Sequence, residues 1–211
     1  MTGVQTCALP IYQIGNRATG DRISAHLPAS LVKVGAGLVL TAPFTPMLFM
    51  GEEWAAATPW QYFTDHTDPA LAAAVAEGRR AEFAAHGWGA TVPDPQDETT
   101  FRRSKLDWSE LDKAAHQEIL AWYTELIALR RAWPELTDPR LDRVPADYDE
   151  RGRWLVVTRG RLWIAANLGD EAQMLPLDRP GSRVLAASAA GVRLDGAEVS
   201  LPATSLAVLA S

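Results

Sequence analysis

The hydrophobic pattern of this 211-residue chain changes its period near residues 134 to 143, and this change limits the architectures that the chain can form. Upstream, from about 112 to 132, apolar residues recur every three or four positions, which predicts an amphipathic helix. Downstream, short β-leaning runs are separated by glycines, which is typical of antiparallel strands joined by turns. The sequence therefore predicts an α/β part followed by a small antiparallel β-sandwich domain.

Four runs carry the strand prediction in the second part of the chain. They cover residues 154–158, 162–166, 183–187 and 206–209. The second run is the most apolar and is followed by turn residues. We therefore expect it to be a central strand in which Trp163 or Ile164 faces the core of the sandwich.

Two further helices and one buried strand are predicted in the part of the chain before residue 134. An apolar helix begins at Pro28 and ends before Pro43, and the Asp68-Pro69 pair predicts a second helix over about 69–85. The continuous apolar run 47–50 suits a strand that is buried on both faces of a parallel sheet. An apolar helix, a short loop and a buried strand together form one step of an α/β fold.

The acidic pair Glu52 and Glu53 follows that predicted strand directly. Ligands bind at the carboxyl ends of the strands in parallel α/β sheets and barrels, so this pair is predicted to lie at a binding site. An aromatic segment with amides and carboxylates comes next, over 59–66. Aromatic faces beside carboxylates suit a saccharide, but the same aromatics also suit the packing of loops against a barrel.

Composition and charge exclude several classes of protein. A content of 47% hydrophobic residues argues against a disordered chain, and the net charge of -6 with interspersed signs argues against a nucleic-acid surface. No apolar run reaches the roughly 20 residues that span a bilayer. Cys7 is the only cysteine, so neither an intrachain disulfide nor a cysteine-based metal site is expected.

Common catalytic and cofactor motifs are also missing from the sequence. His116 begins a His-Gln-Glu segment, but no second histidine follows four positions later, so a zinc helix is not predicted. Gly15 and Gly20 have neither the P-loop lysine nor the glycine spacing of a dinucleotide loop. We therefore expect no metal and no cofactor.

The first twelve residues have neither a helical period nor a strand alternation. They resemble the peptide that results when a sequencing adapter is translated. We expect residues 1–12 to be non-native, the native sequence to start near Gln13, and the chain to be the tail of a longer protein.

Several motifs, in order along the chain, resemble the malto-oligosyltrehalose trehalohydrolase family of the α-amylase superfamily. The most specific are Thr-Pro-Trp-Gln at 58–61 and Phe-Thr-Asp-His at 63–66, whereas the Gly-Glu-Glu motif at 51–53 is widespread in the superfamily. The other matching segments are 13–17, 43–54, 78–83, 93–97 and 104–108.

This resemblance implies the last part of a (β/α)8 TIM barrel over 13–133, followed by an all-β C-terminal domain over 134–211. It implies an enzyme that hydrolyses the α-1,4 bond next to the terminal trehalose of a maltooligosyltrehalose by a retaining mechanism with two carboxylates. The expected partner is this substrate or a related α-glucan, with no nucleic acid and no membrane, and the expected location is cytoplasmic.

The chain departs from the family at the catalytic motif. The family motif reads Asn-His-Asp-Gln, and Pro10, Ile11 and Tyr12 stand here in place of its first three residues. The resemblance therefore assigns no catalytic residue to the chain, and the fragment itself is expected to be inactive. It carries over eight residues as substrate-side or loop-ordering groups: Gln13, Asn16, Arg17, Glu52, Glu53, Trp54, Trp60 and Asp65.

Two alternative functions remain open on the sequence. Within the enzyme class, the chain could belong to another α-amylase-type protein such as a glycogen-branching enzyme. Outside the enzyme class, it could be a non-catalytic carbohydrate-binding protein. Product analysis separates the first alternative from a trehalohydrolase, and saccharide binding without turnover would support the second.

Overall fold

The computed structural model describes residues 14, 17–84 and 92–211. The predicted non-native segment 1–12 lies outside the described residues. The described chain forms two compact units, one from residues up to His26 together with Met47–Gln117, and the other from Leu27–Pro46 together with Glu118–Ser211. We call the first the loop unit and the second the sheet unit. The domain boundary between residues 133 and 134 stays a prediction.

Five α-helices lie in the described part of the chain, and the predicted ones are confirmed. They are α1 (Ala29–Thr41), α2 (Pro69–Ala84), α3 (Glu98–Arg103), α4 (Ala114–Ala132) and α5 (Pro134–Thr137). Short 3-10 turns cover Ile23–Ala25, Glu52–Trp54, Trp108–Asp112 and Leu141–Arg143. None of the described helices is both long and apolar enough to cross a bilayer.

Local side chains explain where the helices start and which face they bury. The Asp68 carboxylate accepts a hydrogen bond from the Ala70 amide at 2.9 Å, and Asp97 accepts one from the Thr99 amide at 2.8 Å. Each bond satisfies an N–H group of the first helical turn that has no partner within the helix. In α4 the apolar stripe is buried as its spacing predicts, with Ile119, Trp122, Tyr123 and Leu126 inside.

Eight antiparallel strands form two sheets in the sheet unit. The strands are β1 (Ala146–Asp149), β2 (Trp154–Arg159), β3 (Leu162–Asn167), β4 (Gln173–Pro176), β5 (Arg183–Ala187), β6 (Arg193–Asp195), β7 (Glu198–Leu201) and β8 (Ser205–Ala210). One sheet has the order β1-β2-β3-β8-β5 and the other the order β4-β7-β6. The four predicted strands are confirmed as β2, β3, β5 and β8.

The two sheets share one core, as a sandwich does. Trp163 and Leu209 from the larger sheet are packed in a cluster with Leu175, Val199 and Leu201 from the smaller one, and all five are fully buried. On the other face of β3 and β8, helix α1 covers the sheet, because Gly37 lies directly over the side chain of Leu206. Every residue of β3 and β8 is therefore buried.

The predicted buried strand over 47–50 is wrong for this structure. These residues are irregular, and Met47 and Met50 are 41% and 46% exposed. A strand pairs its amide and carbonyl groups with at least one neighbouring strand, and all the strands in the described part of the chain lie within 146–210, where none of them pairs with this segment. Glu52 and Glu53 consequently lie in a 3-10 turn after an irregular segment rather than at the end of a sheet strand.

Candidate functional site

A buried arginine in the loop unit organises the segment that carries most of the predicted site residues. Arg22 is only 4% exposed, and its Nε and Nη1 atoms donate to the carbonyls of Thr58 at 2.6 Å and Met50 at 2.9 Å. These two carbonyls lie on either side of the turn at 52–54. Arg22 therefore ties both ends of that turn to the segment that precedes α1.

A buried carboxylate also stabilises this turn, by accepting hydrogen bonds from N–H groups in it and just after it. Glu110 is 4% exposed and accepts hydrogen bonds from the Ala57 amide at 3.2 and 3.3 Å and from the Trp54 indole at 3.4 Å. Trp54 is itself buried, and its ring lies 5.2 Å from that of Trp108. The predicted site residue Trp54 thus helps to order the loop through its indole hydrogen bond and its ring contact.

Three carboxylates act on the charge of Arg22 in its poorly hydrated position. Burial lowers the pKa of Arg22, and the nearby carboxylates of Glu52, Glu110 and Glu53 act to raise it. Glu52 also accepts a hydrogen bond from the Phe49 amide at 3.1 Å. The carboxylates that bind N–H groups here stabilise the loop, which is a different task from proton transfer to a substrate.

Trp60, the second tryptophan of the predicted site, is half-buried in a row of aromatic rings. Its ring meets Phe49 edge-on at 5.4 Å and Phe63 at 6.2 Å, and Phe63 meets Phe101 at 5.1 Å. Edge-to-face contacts at these centroid distances are the favourable geometry for aromatic pairs. The row holds the indole of Trp60 in a defined orientation at the surface of the loop unit.

Gln96 orders the segment that contains Asp65. Its side-chain oxygen accepts hydrogen bonds from the Thr64 hydroxyl at 2.5 Å and the His66 amide at 3.1 Å, and its nitrogen donates to the His66 carbonyl at 3.1 Å. One amide side chain thus binds both flanks of Asp65. The carboxylate of Asp65, between these flanks, is exposed.

Arg17 belongs to a polar cluster centred on Asp21. Arg17 Nε donates to the Asp21 carboxylate at 2.6 Å, the Thr19 hydroxyl donates to it at 2.7 Å, and the His26 ring also contacts it. Partial burial works to raise the pKa of Asp21, but the hydrogen bonds from Thr19, His26 and Arg17 outweigh it and lower the pKa to about 2. The cluster fixes the direction of the Arg17 side chain.

The structure places Arg17, Glu52, Glu53, Trp54, Trp60 and Asp65 in the loop unit, while Gln13 and Asn16 lie outside the described residues. Contact with a saccharide stays a prediction for all eight. The predicted site residues do not include Arg22, Glu110 and Gln96, which hold this loop together. Only Gln96 lay in a segment that the sequence singled out, the match at 93–97. Within the described ranges, no group of three or more His, Cys, Asp or Glu could hold a metal ion.

Solved structures give the class of fold to which this chain is similar. A Salmonella typhimurium protein provisionally named alpha amylase is 37% identical, with a TM-score of 0.79 over 95% of this chain and 34% of that protein. Isomaltulose synthase from Klebsiella sp. shares 15% identity, with a TM-score of 0.56 over 86% of this chain and 38% of its own. The fold is therefore that of a part of α-amylase-type enzymes.

Curated sequences give the particular relatives. Malto-oligosyltrehalose trehalohydrolase from Rhizobium sp. is 50% identical over 204 residues, which are 96% of this chain and 34% of that protein. The enzyme of the same name from Mycobacterium tuberculosis is 49% identical over 82% of this chain and 30% of its own. The resemblance to malto-oligosyltrehalose trehalohydrolases is confirmed, and the chain spans about a third of the length of these relatives.

The sheet unit also matches a family profile described as Domain of unknown function (DUF3459), over residues 139–208. This match covers seven of the eight strands completely and β8 in part. The profile's description assigns no activity to this domain.

Proposed function

We propose that this chain acts as the last third of a trehalose-releasing glycoside hydrolase. The complete enzyme would cleave the α-1,4 bond next to the terminal trehalose of a maltooligosyltrehalose. The observation that carries this proposal is the 50% identity over 204 residues with the trehalohydrolase of Rhizobium sp.. By the same resemblance, the two carboxylates that cleave the bond come from outside residues 13–211, and this chain supplies loops beside them.

We propose further that residues 13–133 complete a (β/α)8 barrel when they are joined to the other two thirds of such an enzyme. The segment 47–50 would then pair as a barrel strand. Met47, Leu48 and Met50 support this, because their exposed apolar side chains are those that a barrel strand would bury. The cytoplasmic location expected from the sequence stays a prediction.

The role proposed for the loop unit is to hold a substrate-facing segment still. Arg22, Glu110 and Gln96 bind the backbone of residues 50–66 at three points, at Met50, Ala57 and His66. A loop that is ordered before binding loses less conformational entropy when a sugar binds, so affinity and orientation both improve. Trp60 and Asp65 are the groups of this segment that we propose to face the glucan.

A hybrid enzyme tests the proposed function. Residues 13–211 replace the corresponding last third of the Rhizobium sp. trehalohydrolase, which then supplies the Asn-His-Asp of the catalytic motif. We expect release of trehalose from maltooligosyltrehalose, as with the intact Rhizobium enzyme. Purified residues 1–211 alone should release none, since they lack the catalytic carboxylates.

Product analysis of the same hybrid separates the alternatives. New α-1,6 branches in a linear glucan, without free trehalose, would replace the proposal with a glycogen-branching activity. Tight binding of maltooligosaccharides by residues 1–211, together with a folded hybrid that turns nothing over, would favour a non-catalytic binding protein.

A further inference from the structure

Two adjoining cavities lie in the sheet unit, where helix α5 and the turn at 141–143 meet the hairpin between β2 and β3. Their volumes are about 390 and 270 Å³, and Glu135, Asp138 and Arg140 line both. Arg143 and Arg159 line the second cavity, and Arg161 lines the first. Sites for small ligands have volumes of about 300 to 1,000 Å³, and the larger of the two cavities lies in this range.

The lining of these cavities is positively charged, although the chain as a whole carries a net charge of -6. Four arginines face two carboxylates. Asp138 is paired with Arg140, and Glu135 with Arg161 at 2.8 Å. The charges of Arg143 and Arg159 are therefore in excess over the acidic groups of the lining, which favours an anionic ligand.

An unpaired donor on Arg159 also points to an anionic ligand, independently of the charge of the lining. It is 2% exposed, and its Nε and Nη2 atoms donate to the carbonyls of Glu135 and Asp138 at 2.7 to 3.2 Å. Its Nη1 atom is buried and has no hydrogen-bond partner in the described part of the chain. Unpaired buried donors are rare in folded proteins, and a charged one is especially costly, so an acceptor is missing at this position.

One acceptor in the same lining is also without a partner. Glu135 Oε2 is buried and accepts no hydrogen bond within the described residues. It needs a donor, whereas Arg159 Nη1 needs an acceptor. A ligand that carries an oxyanion together with a hydroxyl group satisfies both needs. The hydroxyl groups of a neutral sugar also donate and accept, but the excess positive charge of the lining favours the anion.

We propose that this arginine pocket binds a phosphate group, either as inorganic phosphate or as the phosphate ester of a small sugar. The phosphate oxygens accept hydrogen bonds from Arg159 Nη1 and from Arg143, because guanidinium groups match phosphate in charge and in geometry. In a sugar phosphate, a ring hydroxyl donates to Glu135 Oε2. All the lining residues belong to the sheet unit, so this proposal does not depend on the proposed hydrolase activity.

Calorimetric titration of the full chain with three probes tests the proposal. The probes are inorganic phosphate, glucose 6-phosphate and glucose. We expect both phosphates to bind and glucose not to bind. Tighter binding of glucose 6-phosphate identifies the ester as the ligand that the pocket fits best, whereas equal affinities identify free phosphate.

Two variants locate the binding site. The side chain of Arg143 is exposed and makes no hydrogen bond to a described group, so Arg143→Gln should fold normally and weaken phosphate binding about tenfold through the loss of one charged contact. Arg159→Lys keeps the charge but removes Nη1, and it also removes the Nε and Nη2 donors that bind the carbonyls of Glu135 and Asp138, so circular dichroism first confirms its fold. The matched control is Arg193→Gln in β6, which makes the same change of charge at an exposed position outside the lining.

Three results would overturn the proposal. Absence of binding by either phosphate probe is the first. Equal weakening in Arg143→Gln and Arg193→Gln is the second, since it would show a general effect of net charge. Binding of glucose as tight as that of glucose 6-phosphate is the third, because the arginines would then not read a phosphate.

Discussion

The amide of Trp60 donates a hydrogen bond of 2.7 Å to the carbonyl of Gly20, so the backbones of two segments forty residues apart are in direct contact. Gly20 adopts a φ of +67°, and a Cβ atom at this position would lie 2.1 Å from the Trp60 carbonyl oxygen. The position of Trp60 thus depends on a residue without a side chain.

Replacement of Gly20 by alanine should destabilise the protein by about 2 kcal/mol or more, because left-handed backbone strain adds to a steric clash. Urea unfolding measures the change. Gly78→Ala is the matched control, since Gly78 lies in α2 with nothing within 4 Å of an added Cβ. It should stabilise the helix by about 0.5–1 kcal/mol. Equal effects of the two substitutions would contradict the contact with Trp60.

The substitution Glu110→Gln tests the buried carboxylate that holds the turn at 52–54. It removes the charge opposite Arg22 and offers the Ala57 amide and the Trp54 indole a single oxygen. We expect a loss of about 1–3 kcal/mol in the free energy of unfolding. Glu125→Gln, on the exposed face of α4, should change stability by less than about 0.5 kcal/mol. If Glu110→Gln left the free energy of unfolding unchanged, the carboxylate would be dispensable for this loop.

Ile164 in β3 is 1% exposed between the sheet and helix α1. Its replacement by alanine should cost about 2–5 kcal/mol, from lost burial and from the cavity that remains. Thermal or urea unfolding measures this loss. Leu141→Ala provides the comparison, because Leu141 is 60% exposed and should contribute less than about 0.5 kcal/mol. A small effect at Ile164 would show that this face of β3 is not a core face.

Asp21 should make stability depend on pH in the acidic range. Its pKa is lowered from its ordinary value of 3.8 to about 2, so the folded state favours the ionised carboxylate. The stabilisation is complete above the ordinary pKa and is lost as the pH falls from about 4 towards 2. In unfolding titrations from pH 6 to 2, Asp21→Asn should be less stable than the parent at the upper end, and the difference should shrink on acidification. If the difference in unfolding free energy between Asp21→Asn and the parent stayed constant with pH, the ionised carboxylate of Asp21 would contribute nothing to stability.

Tyr12 should abolish turnover even in a complete enzyme. In a second hybrid, the part taken from this chain starts at residue 10 instead of residue 13. It therefore carries Pro10, Ile11 and Tyr12 in place of Asn-His-Asp. The loss of a preorganised carboxylate removes at least about 10²–10³ in rate, and trehalose release should fall by that factor or more. Adding Tyr12→Asp to this hybrid should recover part of the rate. Unchanged turnover in the unrepaired hybrid would refute the assignment of this position.

The sequence by itself determined the features that depend on local pattern. Helix α4 follows from its apolar spacing, α2 from the Asp68-Pro69 start, and β3 from a run of apolar residues. The motifs at 58–61 and 63–66 were sufficient to indicate the family. β7 alternates polar and apolar residues over 198–201, but with only four residues this signal is too short to stand out. β1 is exposed throughout, and its assignment as a strand depends on its pairing with β2.

The tertiary structure alone decided what holds the candidate site. Glu110 reaches Trp54 across 56 residues of sequence, and Gln96 reaches His66 across 30. No periodicity encodes such contacts, because they depend on which loops the fold brings together. In the segment 47–50, a clear sequence pattern is present but the tertiary partners that it needs are not beside it. Its pattern is that of a buried strand, but burial and hydrogen bonding need partner strands beside it. A sequence pattern specifies which residues avoid water, and only the folded chain specifies which groups cover them.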